Sequence, residues 1–205
     1  MWTVTFIPLR PDPLSAHAAE RRDAARNRER LLGAARELIA ECGADGLTMD
    51  RLAERAGVGK GTVFRRFGSR AGLMITLLSD AEADFQARFM FGPSPLGPGA
   101  PARDRLIAFG VERIAFVMQY GELARAADKS VPDRFDVPAI ALWDRHIEYL
   151  LREEGLDADP RLMAMALNAT LDPERLLHAV RVHGIEPARL AESWRELVER
   201  VVRRT

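Results

Sequence analysis

Lys60, Gly61, Thr62, Phe64, Arg65 and Arg66 stand together in one short run of the chain. Cations bind phosphate oxygens, a hydroxyl donates to or accepts from a base edge, and a position without a side chain allows close backbone approach. On one helix the mixture suits the major groove of a DNA duplex. Thr62 and its N-terminal neighbours would meet base edges, and Arg65 and Arg66 phosphates. The same residues also suit a solvated basic helix in an ordinary bundle, so charge by itself does not choose between the two.

The elements that must position this run do choose. Before it, Met49, Leu52, Ala53 and Ala56 recur at helical spacing, and Asp50, Arg51, Glu54 and Arg55 occupy the other face. Thr48 is placed to cap the start. Gly57 follows the last apolar position, where a helix end takes a left-handed backbone that glycine adopts cheaply. Val58 then fills the angle, Gly59-Lys60 opens a second helix carrying Val63, Phe64 and Phe67, and small Ala53 allows close approach. Thr48 to Phe67 therefore reads as a helix-turn-helix unit.

From about Arg26 to Leu78 the chain closely resembles the DNA-binding domain of the tetracycline-repressor (TetR) family of bacterial transcription regulators. The residues that carry the resemblance are Arg28-Glu29-Arg30-Leu31-Leu32, Ala34-Ala35, Thr48-Met49, Leu52-Ala53, Ala56-Gly57-Val58, Gly61-Thr62-Val63, Phe67 and Ser69-Arg70. The family usually has Tyr at Phe64, Pro at Gly68 and often His at Arg66. Without the tyrosine hydroxyl one typical phosphate contact is missing. The resemblance implies further phosphate contacts from Asn27 and Arg28 on the first helix and from Arg70 after the motif. It also implies a role for Thr48, Lys60, Gly61 and Phe64 at the DNA.

A chain of 205 residues with formal net charge zero can bury a real core. Residues 15–80 carry a small cationic excess and 81–205 a matching acidic one, which supports DNA binding only because the motif already does. A single cysteine, Cys42, excludes an internal disulfide framework and fits a reducing compartment. No apolar run has membrane-spanning length, and the apolar start lacks the basic region of a secretory signal, so the expectation is a cytoplasmic protein without a membrane partner.

The expected fold is all-α: an N-terminal three-helix DNA-binding domain with a helix-turn-helix, then a C-terminal helical ligand-binding and dimerisation domain. Residues 1–14, with Pro8, Pro11 and Pro13, read as an extended or disordered tail. Residues 15–80 form the DNA-binding domain, beginning with a helix over 15–42, and 81–205 the regulatory domain. A helix from Arg70 to about Phe91 packs through Leu73, Ile75, Leu77, Leu78, Ala81 and Phe85, and residues 92–101 make a flexible connection. Further helices are expected over 102–119, 121–128, 137–154, 159–183 with a division at Asp172-Pro173, and 187–203.

No catalytic constellation, metal spacing or cofactor loop is legible; His178 and His183 miss the i, i+4 spacing of a helical metal pair. Phe109, Arg113 and Phe116 on one helix, with Trp143, His146 and Tyr149 on another, have the composition of a mostly apolar ligand cavity and equally that of a bundle core. The resemblance is what assigns ligand binding to this region. The effector would be apolar, aromatic or amphipathic, with an anionic group if Arg113 points inward without an acid such as Glu112 or Glu148. The resemblance also implies that two C-terminal helices, carrying Leu176, Leu177, Ala179, Val180, Leu190, Trp194, Leu197, Val198 and Val201, pair with a second copy. The expected function is a homodimeric regulator, most simply a repressor, that leaves a palindromic operator when a small molecule binds. A DNA-binding protein without ligand control and a helical enzyme are the alternatives.

Overall fold

The computed structural model describes residues 13–128 and 138–203, and every regular element among them is a helix. The contacts within the chain form two units, one up to Arg66 and one from Phe67 onward.

In the first unit, α1 (Pro13–Cys42) packs on α2 (Met49–Ala56), and α3 begins at Lys60 and ends at Phe67. Helix α1 already includes Pro13 and Leu14, which the sequence assigned to the tail; residues 1–12 lie outside the described residues. Leu31, Leu32, Ala35, Leu38 and Ile39 are buried on one face of α1, as their spacing requires. Leu47, in the link before α2, is also fully buried. Arg55 of α2 bonds both carboxylate oxygens of Glu41 on α1, at 2.8 and 2.6 Å. The hydrogen bond from Arg55 holds the Glu41 carboxyl below its ordinary range.

In the second unit, α4 (Arg70–Phe91) buries Leu73, Met74, Leu77, Ala81, Phe85 and Phe89. Ile75 lies off that i, i+4 stripe and is exposed, contrary to its expected packing role. The non-helical segment 92–101 is anchored, since Leu96 is buried in the same core.

Helix α5 (Ala102–Asp128) is the axis of this unit. It packs against α4, α6 (Pro138–Glu153), α8 (Pro173–Arg181) and α9 (Pro187–Val201), while α7 (Pro160–Thr170) packs on α6. The sequence placed a break near Gly121, but α5 runs straight through it. A Cβ at Gly121 would lie 2.8 Å from Leu177 Cδ1, so the glycine serves close approach of α8. Gly110 does the same more severely: its Cβ would stand 2.0 Å from the Trp194 indole. Trp194 sits against that notch and donates its indole N–H to the Leu106 and Ile107 carbonyls at 3.2 and 3.1 Å. The expected helix over 159–183 is divided as Asp172-Pro173 predicts: Asp172 accepts from the Arg175 N–H and caps α8.

Candidate nucleic-acid interface and effector pocket

The turn between α2 and α3 is built by local chemistry. Thr48 Oγ1 accepts the Arg51 N–H at 3.2 Å and caps α2. Gly57 takes φ +63° and ψ +39°, and the Gly57 and Val58 N–H groups bond the Glu54 and Ala53 carbonyls, the helix-end geometry that a left-handed residue permits. Arg30 donates to the Ala56 carbonyl at 2.6 Å, fixing the same end from α1.

That turn leaves α3 with Val63 and Phe67 buried and the rest of its surface open. Lys60, Gly61, Phe64, Arg65 and Arg66 are exposed and Thr62 half-buried. Among the described residues neither Arg65 nor Arg66 has a hydrogen bond or ion pair. Lys60 pairs with Asp50 of α2 at 2.7 Å. Asn27 is half-buried on α1, where Arg28 lies 3.9 Å from Glu29, and Thr48 is exposed beside its cap bond. Arg70 is exposed in the first turn of α4, within the second unit, where Ser69 Oγ caps the helix by accepting the Gly72 N–H.

In the second unit, α5 and α6 meet through three antiparallel rungs: Arg105 with Tyr149, Phe109 with His146, and Arg113 with Trp143. Phe109 is fully buried, with Phe85 and Phe89 against it, so it belongs to the core. Arg113 is only 4% exposed and lies between the Phe116 ring, at 4.9 Å, and the Trp143 ring, at 3.9 Å. Its Nε and Nη1 are buried without a hydrogen-bond partner. Burial lowers its pKa to about 10, opposed by the charges of Glu82 and Asp172, and it remains a cation at neutral pH. Neither acid named from the sequence neutralises it: Glu112 pairs with Arg88 at 2.6 Å and Glu148 with Arg152.

His146 and Tyr149 line a pocket of about 410 Å³, and Arg113 is absent from that lining. Tyr149 is half exposed, whereas His146 is buried with Nε2 unpartnered. Burial, and then the charge of Arg105, push the His146 pKa down to about 4, so the imidazole is neutral at physiological pH. Arg105 and Arg145 share the lining and do not stand out in the sequence, where an arginine on a helix reads as solvated surface.

Of the residues expected to meet a second copy, Leu176, Leu177, Trp194 and Val198 are buried within this chain's own core, and the others are half-buried. Among the described residues no helix is long and apolar enough to cross a membrane, and no group of three metal-ligating side chains is present.

A capped helix, a glycine turn and an open cationic second helix define the helix-turn-helix class of DNA-binding domains. Residues 31–77 match the family model of bacterial regulatory proteins of the tetR family. That match assigns residues 31–77 to the DNA-binding domain of bacterial regulatory proteins of the tetR family. The fold is similar over most of the chain to solved structures of low identity. A TetR-family regulator from Streptomyces coelicolor has TM-score 0.62 and 20% identity, over 87% of this chain and 95% of that one. A regulator of the same family from Rhodococcus sp. has TM-score 0.57 and 20% identity, over 87% and 100%. The fatty acid degradation regulator of Bacillus halodurans has TM-score 0.56 and 17% identity, over 83% and 93%. No curated protein sequence matches the chain.

Proposed function

We propose that the chain is a cytoplasmic homodimeric repressor that binds a palindromic operator and is released from it by a small-molecule effector. The observation that carries the DNA half is the surface of α3, where Arg65 and Arg66 stand exposed without an acid partner among the described residues. An unpaired cation loses nothing of its own when it meets phosphate, and a reading helix with two of them gains affinity from counterion release. Thr62 and Phe64 face outward on the same short helix, with Lys60 and Gly61 at its N-terminal end, where base edges are read. Asn27, Arg28, Thr48 and Arg70 add backbone contacts.

In this reading residues 15–80 hold the DNA, and 81–205 hold the effector and the second copy. One reading helix covers only a few base pairs, so useful affinity needs two, related by a two-fold axis. Ligand control is supported by Arg113, because a buried cation without a hydrogen bond is costly and persists where it serves something besides stability. With Phe109, Phe116, Trp143, His146 and Tyr149 it forms the ladder beside which an effector would bind. Release requires two arrangements of the dimer and an effector that prefers the one unable to grip both half-sites.

The test is to select duplexes from a random library with the purified protein and footprint the winners. The expected product is an inverted repeat with half-site centres about one helical turn apart, or a multiple of it. Protection of a single asymmetric half-site by a monomer would falsify the dimer and, with it, the release mechanism.

A further inference from the structure

We infer that the pocket lined by α4, α5, α6 and the 92–101 segment binds a carboxylate with an apolar body, its acid group held between Arg105 and Arg145 and hydrogen-bonded by His146. The inference rests on the effector reading above and gives that effector a chemical class.

Unused hydrogen-bonding capacity is the first ground. Among the described residues the Arg105 and Arg145 side chains make no hydrogen bond or ion pair; Arg145 is exposed, and Arg105 Nε is buried with nothing to donate to. The surrounding arginines are supplied differently. Arg88 pairs with Glu112, Arg103 with Glu199 at 3.7 Å, Arg152 with Glu148, and Arg181 with Glu122. Glu148 lies on α6 with Arg145, yet its partner is Arg152. Among the described residues the pocket lining contains no carboxylate. Arg145 also borders a neighbouring cleft with Asp144 and Glu148, but within this lining the described charges are all positive, which favours an anion and disfavours a cation.

The second ground is the buried histidine. His146 is 6% exposed, belongs to the lining, and has an orphan Nε2. Its ring centre lies 4.5 Å from that of Phe89 and 5.3 Å from that of Phe109, tilted by 40° and 45°, which holds the imidazole against the core. A neutral imidazole with Nε2 protonated donates to a carboxylate oxygen, and such charge-assisted bonds are the strong ones. The Arg105 guanidinium lies 5.9 Å from the Tyr149 ring centre, so its stem is already held on an aromatic face.

Apolar shape completes the site. Met90, Leu142 and Pro98 supply the rest of the wall, and a volume of about 410 Å³ falls within the span of small-molecule pockets. Such a wall pairs with a hydrocarbon or aromatic body, while free inorganic anions would leave it unfilled.

The probes are three acid and amide pairs of matched shape: benzoate with benzamide, 2-naphthoate with 2-naphthamide, and octanoate with octanamide. Each is titrated calorimetrically into the full-length protein. At least one acid is expected to bind ten-fold or more tighter than its amide. Arg105→Gln with Arg145→Gln should erase that preference while amide binding persists, and Arg105→Lys with Arg145→Lys should restore part of it. Circular dichroism of each variant checks that the helices remain. No preference for the acid in any pair, non-binding of all six included, overturns the inference, as does a preference that survives the double Gln variant. Each acid is also added to the protein on its selected duplex. Arginine-dependent binding that leaves DNA affinity unchanged supports the pocket and removes the effector reading. Release by a neutral compound, indifferent to both arginines, does the reverse.

Discussion

The guanidinium carbon of Arg113 lies 3.9 Å from the centre of the Trp143 ring, and among the described residues no carboxylate bonds it there, although the charges of Glu82 and Asp172 act on it. A cation over an indole face gains about 0.5–2 kcal/mol, which does not cover the several kcal/mol that removing a charge from water costs. Arg113→Met keeps the stem and removes the charge. The variant should be more stable than the parent by about 1 kcal/mol in urea denaturation, with a blue-shifted Trp143 emission. A drop in stability of more than about 1 kcal/mol would show that the arginine is compensated after all.

Gly110 and Gly121 separate space from helix propensity. Gly110→Ala places a methyl group in the Trp194 ring and should cost about 2–3 kcal/mol, disturbing tryptophan fluorescence. Gly121→Ala meets side-chain atoms only, Leu177 Cδ1 at 2.8 Å with Leu177 Cγ and Val117 Cγ1 at 3.3 Å, and the gain of about 1 kcal/mol in helix propensity should offset their shift and leave stability nearly unchanged. Equal costs at the two positions would contradict the notch described for Trp194.

His146 gives the fold an acid-side dependence. Its folded pKa of about 4 lies below the unfolded 6.5, so the unfolded chain takes up the proton first. The stability associated with the neutral ring is complete above pH 6.5 and falls as pH drops toward 4, by about 3 kcal/mol in all. Among the described residues of the pocket lining, Arg105 of α5 and Arg145, its neighbour on α6, are the charged groups. The difference in unfolding free energy between the parent and His146→Phe should slope over pH 4 to 6.5 and flatten above it. A flat difference throughout removes His146 as the titrating group.

At the DNA, Arg65→Ala and Arg66→Ala should weaken binding nearly equally on every sequence. Each should flatten the plot of log affinity against log salt by about 0.9 for every phosphate left without its cation, and a two-fold dimer has two such phosphates per substitution. Thr62→Ala should instead change base preference, by about 1–3 kcal/mol at one position of each half-site. Unaltered salt slopes in both arginine variants would take them off the DNA.

The helix-turn-helix is legible in the sequence because each of its signals is local. Thr48 caps its own helix, Gly57 bends its own backbone, and the Val63–Phe67 pair is one turn long. The course of α5 is not. Gly121 reads as a stop from its neighbours, and only Leu177, far away in the chain, explains why a glycine is there. Ile75 reads as a packing residue by its apolar type, whereas the i, i+4 stripe through Leu73, Leu77, Ala81 and Phe85 decides. In the candidate pocket, aromatic spacing points to His146 and Tyr149 but not to Arg105 and Arg145. An arginine's neighbours in sequence do not tell whether a carboxylate reaches it in space.

The unbroken course of α5 bears on how a displacement would travel through the second unit. An α-helix of 27 residues is about 40 Å long, and a hydrogen-bonded rod resists bending over that length. A kink at Gly121 would have acted as a joint and absorbed a displacement arising near Arg105. Without a break there, a tilt imposed near Arg105 is carried along the helix to Gly121, where α8 rests on it through Leu177. The spine of the second unit thereby acts as a lever, borne on by α6 near its start at Arg105 and by α8 past its middle at Gly121.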